Sequence, residues 1–344
     1  MMAARAVLLT LILAVPAAPA VSQEQTLERT AATVKSVERK ISALRRLGAG
    51  AGDIARSTDR MINGIAHFAG IKEGWIASIF LDGVFTCGGA VVNFTGAGAD
   101  RITQHGQGSE YYLITAGHCF GKNPGILSVS PVQDAECHFL RTEGITVGLG
   151  SFTLEEQKAK AVKPRHICRH HKYSDNPLLN DIAIVGLPRL DRQTAPHVSG
   201  ITMATPDDHL LYAERARVTA LGWGPESASA PEIQDTLLRI DLPVAGSNTC
   251  ADDQENGFFC AGFSTGGTGV CNGDSGSPAV FLPLPGESKK IGARMISLPI
   301  FMGVTSFSEQ CGANNTDSVF VDIRRYSQWI TATTDRLPLK EERK

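Results

Sequence analysis

Eight cysteines in a chain of 344 residues are the feature that most constrains its fold. An even number of cysteines predicts either metal sites in a reducing compartment or four disulfides in an oxidising one. The amino terminus separates these options, because Arg5 precedes the apolar stretch 6–18 and small residues follow it. Charged, apolar and then small is the order of a secretory signal peptide. We therefore expect residues 1–22 to be a signal cleaved after Ala20 or Ser22, and the cysteines to form disulfides.

Composition excludes two classes of partner. A membrane-spanning helix needs roughly 20 apolar residues, so the stretch 6–18 is too short, and no later segment is long and apolar enough. The 33 Lys and Arg nearly balance the 35 Asp and Glu, which gives no electrostatic basis for binding nucleic acid. We expect a secreted protein without a membrane anchor, extracellular or, in a Gram-negative bacterium, periplasmic. An uncleaved interfacial anchor at the amino terminus is the alternative.

Residues 23–60 have a different character from the rest of the chain. Leu27, Val34 and Ile41 recur at seven-residue spacing, which predicts an amphipathic helix with one apolar stripe. The glycine-rich stretch 48–52 ends that helix and precedes a basic connector. This pattern predicts a helical pro-segment with a cleavable linker. A coiled-coil helix for oligomerisation that stays attached is equally compatible with it.

Three separated motifs carry residues of the types used in nucleophilic catalysis. Segment 113–119 (Leu-Ile-Thr-Ala-Gly-His-Cys) ends an apolar run on a histidine, and segment 180–185 (Asn-Asp-Ile-Ala-Ile-Val) places an aspartate before another apolar run. Segment 271–278 (Cys-Asn-Gly-Asp-Ser-Gly-Ser-Pro) places a serine in a glycine-rich loop. Taken singly, each motif is more often structural than catalytic.

Taken together, His118, Asp181 and Ser275 are the three residue types that activation of a serine nucleophile requires. Serine is a poor nucleophile at neutral pH, so a neutral imidazole must take its proton while a buried carboxylate orients that imidazole. The tetrahedral oxyanion then needs hydrogen-bond donors already in place. The backbone N–H groups of Gly273 and Ser275 are the candidates, because glycine lets the backbone turn freely at position 273.

With these motifs, the chain resembles the trypsin/chymotrypsin-like serine peptidases over residues 61–335. Further markers are Cys87-Gly88-Gly89, Gly222-Trp223-Gly224 and Tyr326-Ser327-Gln328-Trp329-Ile330. The resemblance implies an all-β fold of two packed six-stranded antiparallel β-barrels with a C-terminal helix. It makes His118 the general base, Asp181 its orienting partner and Ser275 the nucleophile, and it implies no cofactor or metal. Residues 336–344 are expected to form a polar tail.

The resemblance also implies that the chain is made as a zymogen. Family members become active when cleavage frees an apolar amino terminus, whose ammonium pairs with the aspartate before the catalytic serine, here Asp274. Arg60 is followed by Met61, and the spacing from Met61 to Cys87 fits the family. We expect cleavage after Arg60, with methionine where relatives carry isoleucine. Cleavage elsewhere in the basic linker is the alternative.

The resemblance places Gly269 at the base of the primary specificity pocket, where relatives that cut after Arg or Lys carry aspartate. The other residues that it assigns to the pocket are Val270, Ser306, Ser308 and Ser318. Such an uncharged, narrowed pocket predicts cleavage after small or medium apolar residues, with a chymotrypsin-like preference second. The enzyme would then not cut after Arg60, so a separate trypsin-like activating protease is an expected partner.

Two acidic residues leave the pocket's charge open. A one-residue slip in the alignment would place Asp317 on the pocket wall, and Glu309 lies near its rim. Two stretches exceed the usual family length, at about 95–110 and 120–144. Both are turn-rich, so we expect exposed loops on the histidine side of the cleft, either shaping access for substrate or serving as surface decoration.

The resemblance pairs six cysteines by position. The pairs are Cys87 with Cys119, Cys250 with Cys260, and Cys271 with Cys311. The remaining two, Cys137 and Cys168, lie at no usual family position and are paired by elimination. The competing interpretation is a metal site formed by Cys168 with His166, His170 or His171, although zinc sites prefer more widely distributed ligands.

The leading hypothesis is a secreted serine endopeptidase that acts on proteins or peptides through an acyl-enzyme and is monomeric after activation. Ester cleavage by the same residues would be a side activity. The alternative is a catalytically silent binding protein on a peptidase scaffold. The presence of all three candidate catalytic residues argues against that alternative.

Overall fold

The computed structural model describes residues 65–66, 74–93, 111–121, 129–133, 135–190, 195, 197–226, 232–246, 256–283, 287–291, 294–314 and 316–337. The expected signal and pro-segment, the cleavage site, Cys250 and most of the polar tail lie outside these residues. In the described part of the chain, no helix is long and apolar enough to cross a membrane.

Strands dominate the described residues, with short helices between them and one long helix at the end. The strands are β1 Ile65–Ala66, β2 Ile76–Leu81, β3 Val84–Asn93, β4 Tyr112–Thr115, β5 Val129–Gln133, β6 Cys137–Leu140, β7 Ile145–Leu149, β8 His166–His170, β9 Ser174–Asp175, β10 Leu178–Leu179, β11 Ala183–Gly186, β12 Ile201–Met203, β13 Arg217–Gly222, β14 Leu238–Pro243, β15 Phe258–Ala261, β16 Pro278–Phe281, β17 Lys289–Ile291, β18 Arg294–Ile296, β19 Ile300–Ser308 and β20 Ser318–Asp322. The helices are α1 Leu154–Ala159, α2 Ile323–Arg336 and the 3-10 helices Gly117–Phe120 and Pro206–Tyr212.

The strands form two halves joined in one sheet path. Its order is β1-β14-β13-β16-β19-β12-β3-β4-β11-β8-β6-β5; β2 pairs with β3 and β7, and β20 pairs with β15 and β19. Hairpins β9–β10 and β17–β18 stand apart from this sheet. The all-β class and the C-terminal helix are confirmed. In the sheet, β12 lies between the two halves, and β1 from the start of the chain pairs with β14 in the second half.

Two details differ from the expected pair of antiparallel barrels. Among the described strands, the first half does not close into a ring, and the second half is closed only by an isolated bridge between Val244, after β14, and Ala261 of β15. Strand β12 runs parallel to both β3 and β19, whereas the other pairings are antiparallel. The reason is that β12 lies in the connection between the halves, so the crossing chain sets its direction instead of a hairpin turn.

Two hydrophobic clusters form the core of the protein. The larger contains Ile76, Ile114 and Ile184, all fully buried, and the smaller lies in the second half around Val218 and Met302. Burying each side chain of this size contributes about 1.5–3 kcal/mol. Helix α2 packs its apolar face, including Ile330, into the larger cluster. The strand ends that carry the candidate catalytic residues therefore rest on a packed core.

The second long stretch, about 120–144, was expected to be an exposed loop, and this expectation is wrong for its later part. Strand β6 lies within it and pairs with β8, with Cys137, Phe139 and Leu140 buried. Alternating apolar residues and the disulfide-bonded cysteine bring this segment into the sheet. The turn-forming residues nearby in the sequence do not indicate such a strand. Residues 94–110, the main part of the first stretch, lie outside the described residues.

Disulfides connect distant parts of both halves. The bonded pairs are Cys87–Cys119, Cys137–Cys168 and Cys271–Cys311. Cys260 is also disulfide-bonded, although its expected partner lies outside the described residues. Each closed loop stabilises the fold by about 2–4 kcal/mol. Because its sulfur is bonded, Cys168 offers no thiolate for the metal site considered above.

Candidate active site

His118 lies in the 3-10 helix Gly117–Phe120, directly after the buried strand β4. Its neighbour Cys119 is tied to β3 by the disulfide with Cys87. A side chain at Gly117 would approach the ring of Tyr173 to 2.9 Å, so the close packing behind the histidine requires glycine there. The imidazole is thus held at the end of β4 by the turn, the disulfide and the packing.

Cys87 and Cys119 approach His118 closely, but their sulfurs are bonded to each other and are not available as thiolate ligands.

Asp181 reaches His118 because β11, which it precedes, pairs with β4. Its carboxylate is fully buried and makes two bonds with the histidine: the backbone N–H donates to Oδ1 at 2.7 Å, and Nδ1 lies 2.8 Å from Oδ2. Burial alone would raise the pKa of Asp181, but the hydrogen bonds from His118 and Ser306 outweigh it and lower the pKa below its usual value. The group is therefore a carboxylate at neutral pH, and it fixes the proton of His118 on Nδ1.

Ser306 has a role that the sequence did not reveal. It was expected only on the wall of the specificity pocket, and it does line the cavity, but its hydroxyl donates to Oδ2 of Asp181 at 2.5 Å. Ser306 lies on β19 in the second half, so this bond links the halves directly beneath the imidazole. No local motif signals it, because the contact depends on how β19 passes the end of β11.

Ser275 lies in a loop that is fixed to both halves. Gly88 of β3 donates its N–H to the carbonyl of Ser275 at 2.9 Å, and Gly276 donates to the carbonyl of Thr305 at 2.8 Å. Gly276 has a φ of 76°, and a side chain there would meet Thr115 at 2.3 Å. Ser275 and His118 line the same cavity, whose volume is about 480 Å³. The structure thus brings all three candidate catalytic residues to one place.

The loop also presents two backbone donors beside Ser275. Asp274 donates its N–H to the carbonyl of Cys271 at 3.0 Å, whereas the N–H groups of Gly273 and Ser275 have no acceptor among the described residues. Gly273 has a φ of 98°, and a side chain there would collide with Ile233 at 2.3 Å. The positive φ favours glycine at 273, and two neighbouring donors of this kind suit a developing oxyanion.

Asp274 is a buried acid without a cationic partner among the described residues. Within the described residues, its two oxygens accept hydrogen bonds only from the backbone N–H groups of Gly224 at 2.8 Å and Cys271 at 2.9 Å. Burial raises the pKa of this carboxyl to about 6, because two backbone donors compensate only in part for the loss of water. A side chain at Gly222 would come within 2.1 Å of the carboxyl, so glycine at this position leaves the space that the Asp274 carboxyl occupies.

The expected pocket residues lie on one wall of the cavity or directly behind it. Val270, Ser306 and Ser308 line the cavity. Ser318 lies behind Val270 and accepts a hydrogen bond from its N–H at 3.0 Å. A Cβ at Gly269 would lie 3.3 Å from the Ser318 hydroxyl, so this glycine also lies behind the wall.

Neither acidic candidate borders this cavity. Asp317 and Glu309 line a separate cavity of about 540 Å³ on the other side of Phe307. Ser318, not Asp317, makes the contact with Val270. The alignment slip that would bring Asp317 to the pocket therefore does not agree with this geometry.

A serine, a histidine and a buried aspartate between two packed β-halves resemble the arrangement found in serine hydrolases. Residues 108–330 match the family model described as Trypsin. The chain belongs to the trypsin/chymotrypsin-like serine peptidase family.

Three relatives illustrate this similarity. Trypsin-3 of Salmo salar is 27% identical over 64% of this chain and 85% of the relative. Brachyurin of Leptuca pugilator is 26% identical over 76% of this chain and 93% of the relative. Coagulation factor XII of Cavia porcellus is 24% identical over 81% of this chain, but this chain spans only 41% of that longer protein.

Proposed function

We propose that this chain is a secreted serine endopeptidase, made as a zymogen, that hydrolyses peptide bonds through Ser275, His118 and Asp181. The single observation that carries the proposal is the pair of hydrogen bonds between His118 and the buried Asp181, in the cavity that Ser275 also lines. Protein or peptide chains are the substrates, and the activated enzyme acts as a monomer.

The proposed reaction uses proton transfers within this constellation. With its proton on Nδ1, His118 has a basic Nε2 that takes the proton of Ser275 as the hydroxyl oxygen attacks the peptide carbonyl. The N–H groups of Gly273 and Ser275 stabilise the oxyanion. The imidazolium, stabilised by Asp181, then protonates the leaving amine, and an acyl-enzyme remains. Water, activated by the same imidazole, releases the acid and regenerates Ser275.

The zymogen proposal rests on Asp274. A buried carboxyl with two backbone donors and no cation among the described residues is an unsatisfied site for a positive charge. Cleavage after Arg60 would create the ammonium group of Met61, and β1 joins the sheet beside β14 shortly after it. Because the primary pocket is uncharged, a separate trypsin-like protease is the proposed activator.

Labelling with a serine-directed phosphonate tests the function. The protein cleaved after Arg60 should be labelled on Ser275, as identified by mass spectrometry, and Ser275→Ala should abolish the label. Ser277→Ala serves as the matched control, because its hydroxyl is buried in the same loop and makes no hydrogen bond in the described structure. Cleaved, folded protein that takes up no label and hydrolyses no peptide would favour the catalytically silent binding protein.

The proposed specificity is for small or medium apolar residues before the scissile bond. In a peptide library, Ser308→Gly should widen the pocket and raise kcat/KM for Phe relative to Ala by about tenfold, since a methylene-sized change in an apolar pocket has such an effect. Ser264→Gly, an exposed serine on the separate cavity, should leave this ratio unchanged. Strict cleavage after Arg or Lys would contradict the proposal.

A further inference from the structure

The wall of the catalytic cavity opposite the primary pocket is formed by the first half of the fold. Next to His118 it contains Gly121, from the turn after the histidine, and Asp175 and Leu178, from hairpin β9–β10. Asp175 is exposed. A carboxylate therefore lies on the substrate side of the catalytic histidine, in addition to the buried Asp181 beneath it.

Asp175 dominates the charge of this cavity. Among the described residues that line the cavity, it is the one acidic side chain, and His118 is the one histidine. Every residue on the opposite, primary-pocket wall is neutral. The one carboxylate among the described lining residues therefore lies outside the primary pocket, with the Arg169 guanidinium behind it.

Neighbouring side chains hold Asp175 in place. The hydroxyl of Tyr173 donates a hydrogen bond to the Asp175 carboxylate, and the guanidinium of Arg169 stacks on the Tyr173 ring, 4.4 Å from its centre. Burial, and after it the hydrogen bond to Asp175, raises the pKa of Tyr173 well above its usual value. The phenol therefore remains a donor throughout the range in which such an enzyme works, while the Arg169 guanidinium packs against its ring.

A hollow in front of the carboxylate gives a ligand access. Gly121 has no side chain, and the position its Cβ would take lies 3.2 Å from Nη1 of Arg169, 3.2 Å from the Tyr173 hydroxyl and 3.5 Å from Oδ1 of Asp175. A larger residue at 121 would cover these polar atoms. The glycine leaves them open toward the cavity that contains His118.

The geometry points to Asp175 as a specificity determinant that selects Lys or Arg at a substrate position adjacent to the residue in the primary pocket. Successive side chains of an extended peptide point to opposite sides. When one side chain fills the primary pocket, its neighbour faces the wall of His118, Leu178 and Asp175. This inference rests on the proposed peptidase function and adds a substrate class to it: chains that carry a basic residue beside an apolar one.

A peptide series tests the inference on the cleaved protein. The primary residue is kept constant, and the residues on both sides of it are varied among Lys, Arg, Gln and Glu. At one of the two positions, kcat/KM for Lys or Arg should exceed that for Gln by about threefold to tenfold, as expected for one partly exposed charge pair. The preference should weaken as salt is raised, because exposed charges are screened.

Variants assign the preference to one carboxylate. Asp175→Asn should bring the Lys-to-Gln ratio close to one, and Asp175→Lys should reverse the preference toward Glu. Asp207→Asn changes an exposed aspartate of the 3-10 helix Pro206–Tyr212, away from the cavity, and should keep the wild-type ratio. Hydrolysis with no cationic preference at either position, or a preference that survives Asp175→Asn, would overturn this inference alone. Absence of both hydrolysis and phosphonate labelling would overturn the proposed function and this inference with it.

Discussion

Cleavage after Arg60 should lower the pKa of the Asp274 carboxyl from about 6 to below its ordinary value of 3.8. In the uncleaved chain, burial favours the neutral form. In the cleaved chain, the ammonium of Met61 would favour the carboxylate. A fall of this size in the pKa changes the free-energy difference between the carboxylate and the neutral carboxyl by about 2.7 kcal/mol. Carbon-13 NMR titration of the carboxyl, in the uncleaved and cleaved forms of Ser275→Ala, measures it directly.

The same shift reverses how this group affects stability with pH. In the uncleaved chain, the pKa of about 6 lies above the ordinary 3.8, so the folded protein binds more protons between these values. The contribution of Asp274 to stability is therefore present at low pH and is lost as pH rises toward 6. In the cleaved chain the pKa is lowered, so the contribution is present at neutral pH and is lost in acid.

Activity gives a second readout of the same event. Asp274→Asn, cleaved after Arg60, should lose about 10³-fold or more in kcat/KM, because the neutral amide gives the buried ammonium no counter-charge and the oxyanion donors are not held. Arg60→Gln should stay uncleaved, inactive and with a pKa near 6 at Asp274. A carboxyl that titrates near 6 in both forms would contradict activation through this group.

The sequence motifs indicated the candidate triad because its members sit beside regular elements. His118 follows β4, Asp181 precedes β11, and these strands pair so that Thr115 lies opposite Ala183. Each residue is next to an apolar run that is legible in the sequence. The register of two neighbouring strands was then enough to bring the aspartate to the imidazole.

Contacts between the halves, and those made in short irregular hairpins, could not be predicted in this way. The hydrogen bond from Ser306 to Asp181 crosses from β19 to the start of β11. The hydrogen bond from Tyr173 to Asp175 depends on the hairpin β9–β10, whose strands are two residues long. The parallel pairing of β12 likewise follows from how the chain crosses between halves. Periodicity describes one element at a time, so it carries no information on how distant elements meet.

The disulfide between Cys137 and Cys168 could be predicted from the sequence, but its physical reason could not. Pairing Cys137 with Cys168 by elimination required only that all other cysteines were assigned. The structure supplies the physical reason, since β6 and β8 are adjacent and Cys168 lies opposite Phe139, two residues from Cys137. Without that register, the histidines near Cys168 left a metal site as a competing interpretation.

Asp181→Asn should lower kcat by about 10⁴-fold near neutral pH while leaving the fold intact. The asparagine side chain can turn its NH₂ group toward Nδ1 of His118, which moves the imidazole proton to Nε2. That nitrogen then cannot accept the proton of Ser275, so the loss appears in kcat more than in KM. Stopped-flow or steady-state hydrolysis of one peptide by the cleaved variants measures the effect, and near-ultraviolet circular dichroism checks the fold.

Ser306→Ala is the matched comparison for Asp181→Asn, because it removes a hydrogen bond to the same oxygen without changing the carboxylate. It should lower kcat by only about tenfold, since His118 still donates from Nδ1 and keeps the productive tautomer. Equal losses in the two variants would indicate that the hydrogen-bond network acts mainly as packing between the halves. An Asp181→Asn variant within tenfold of wild type would remove Asp181 from the triad, because a carboxylate that merely supports the turn has no reason to control the proton of His118.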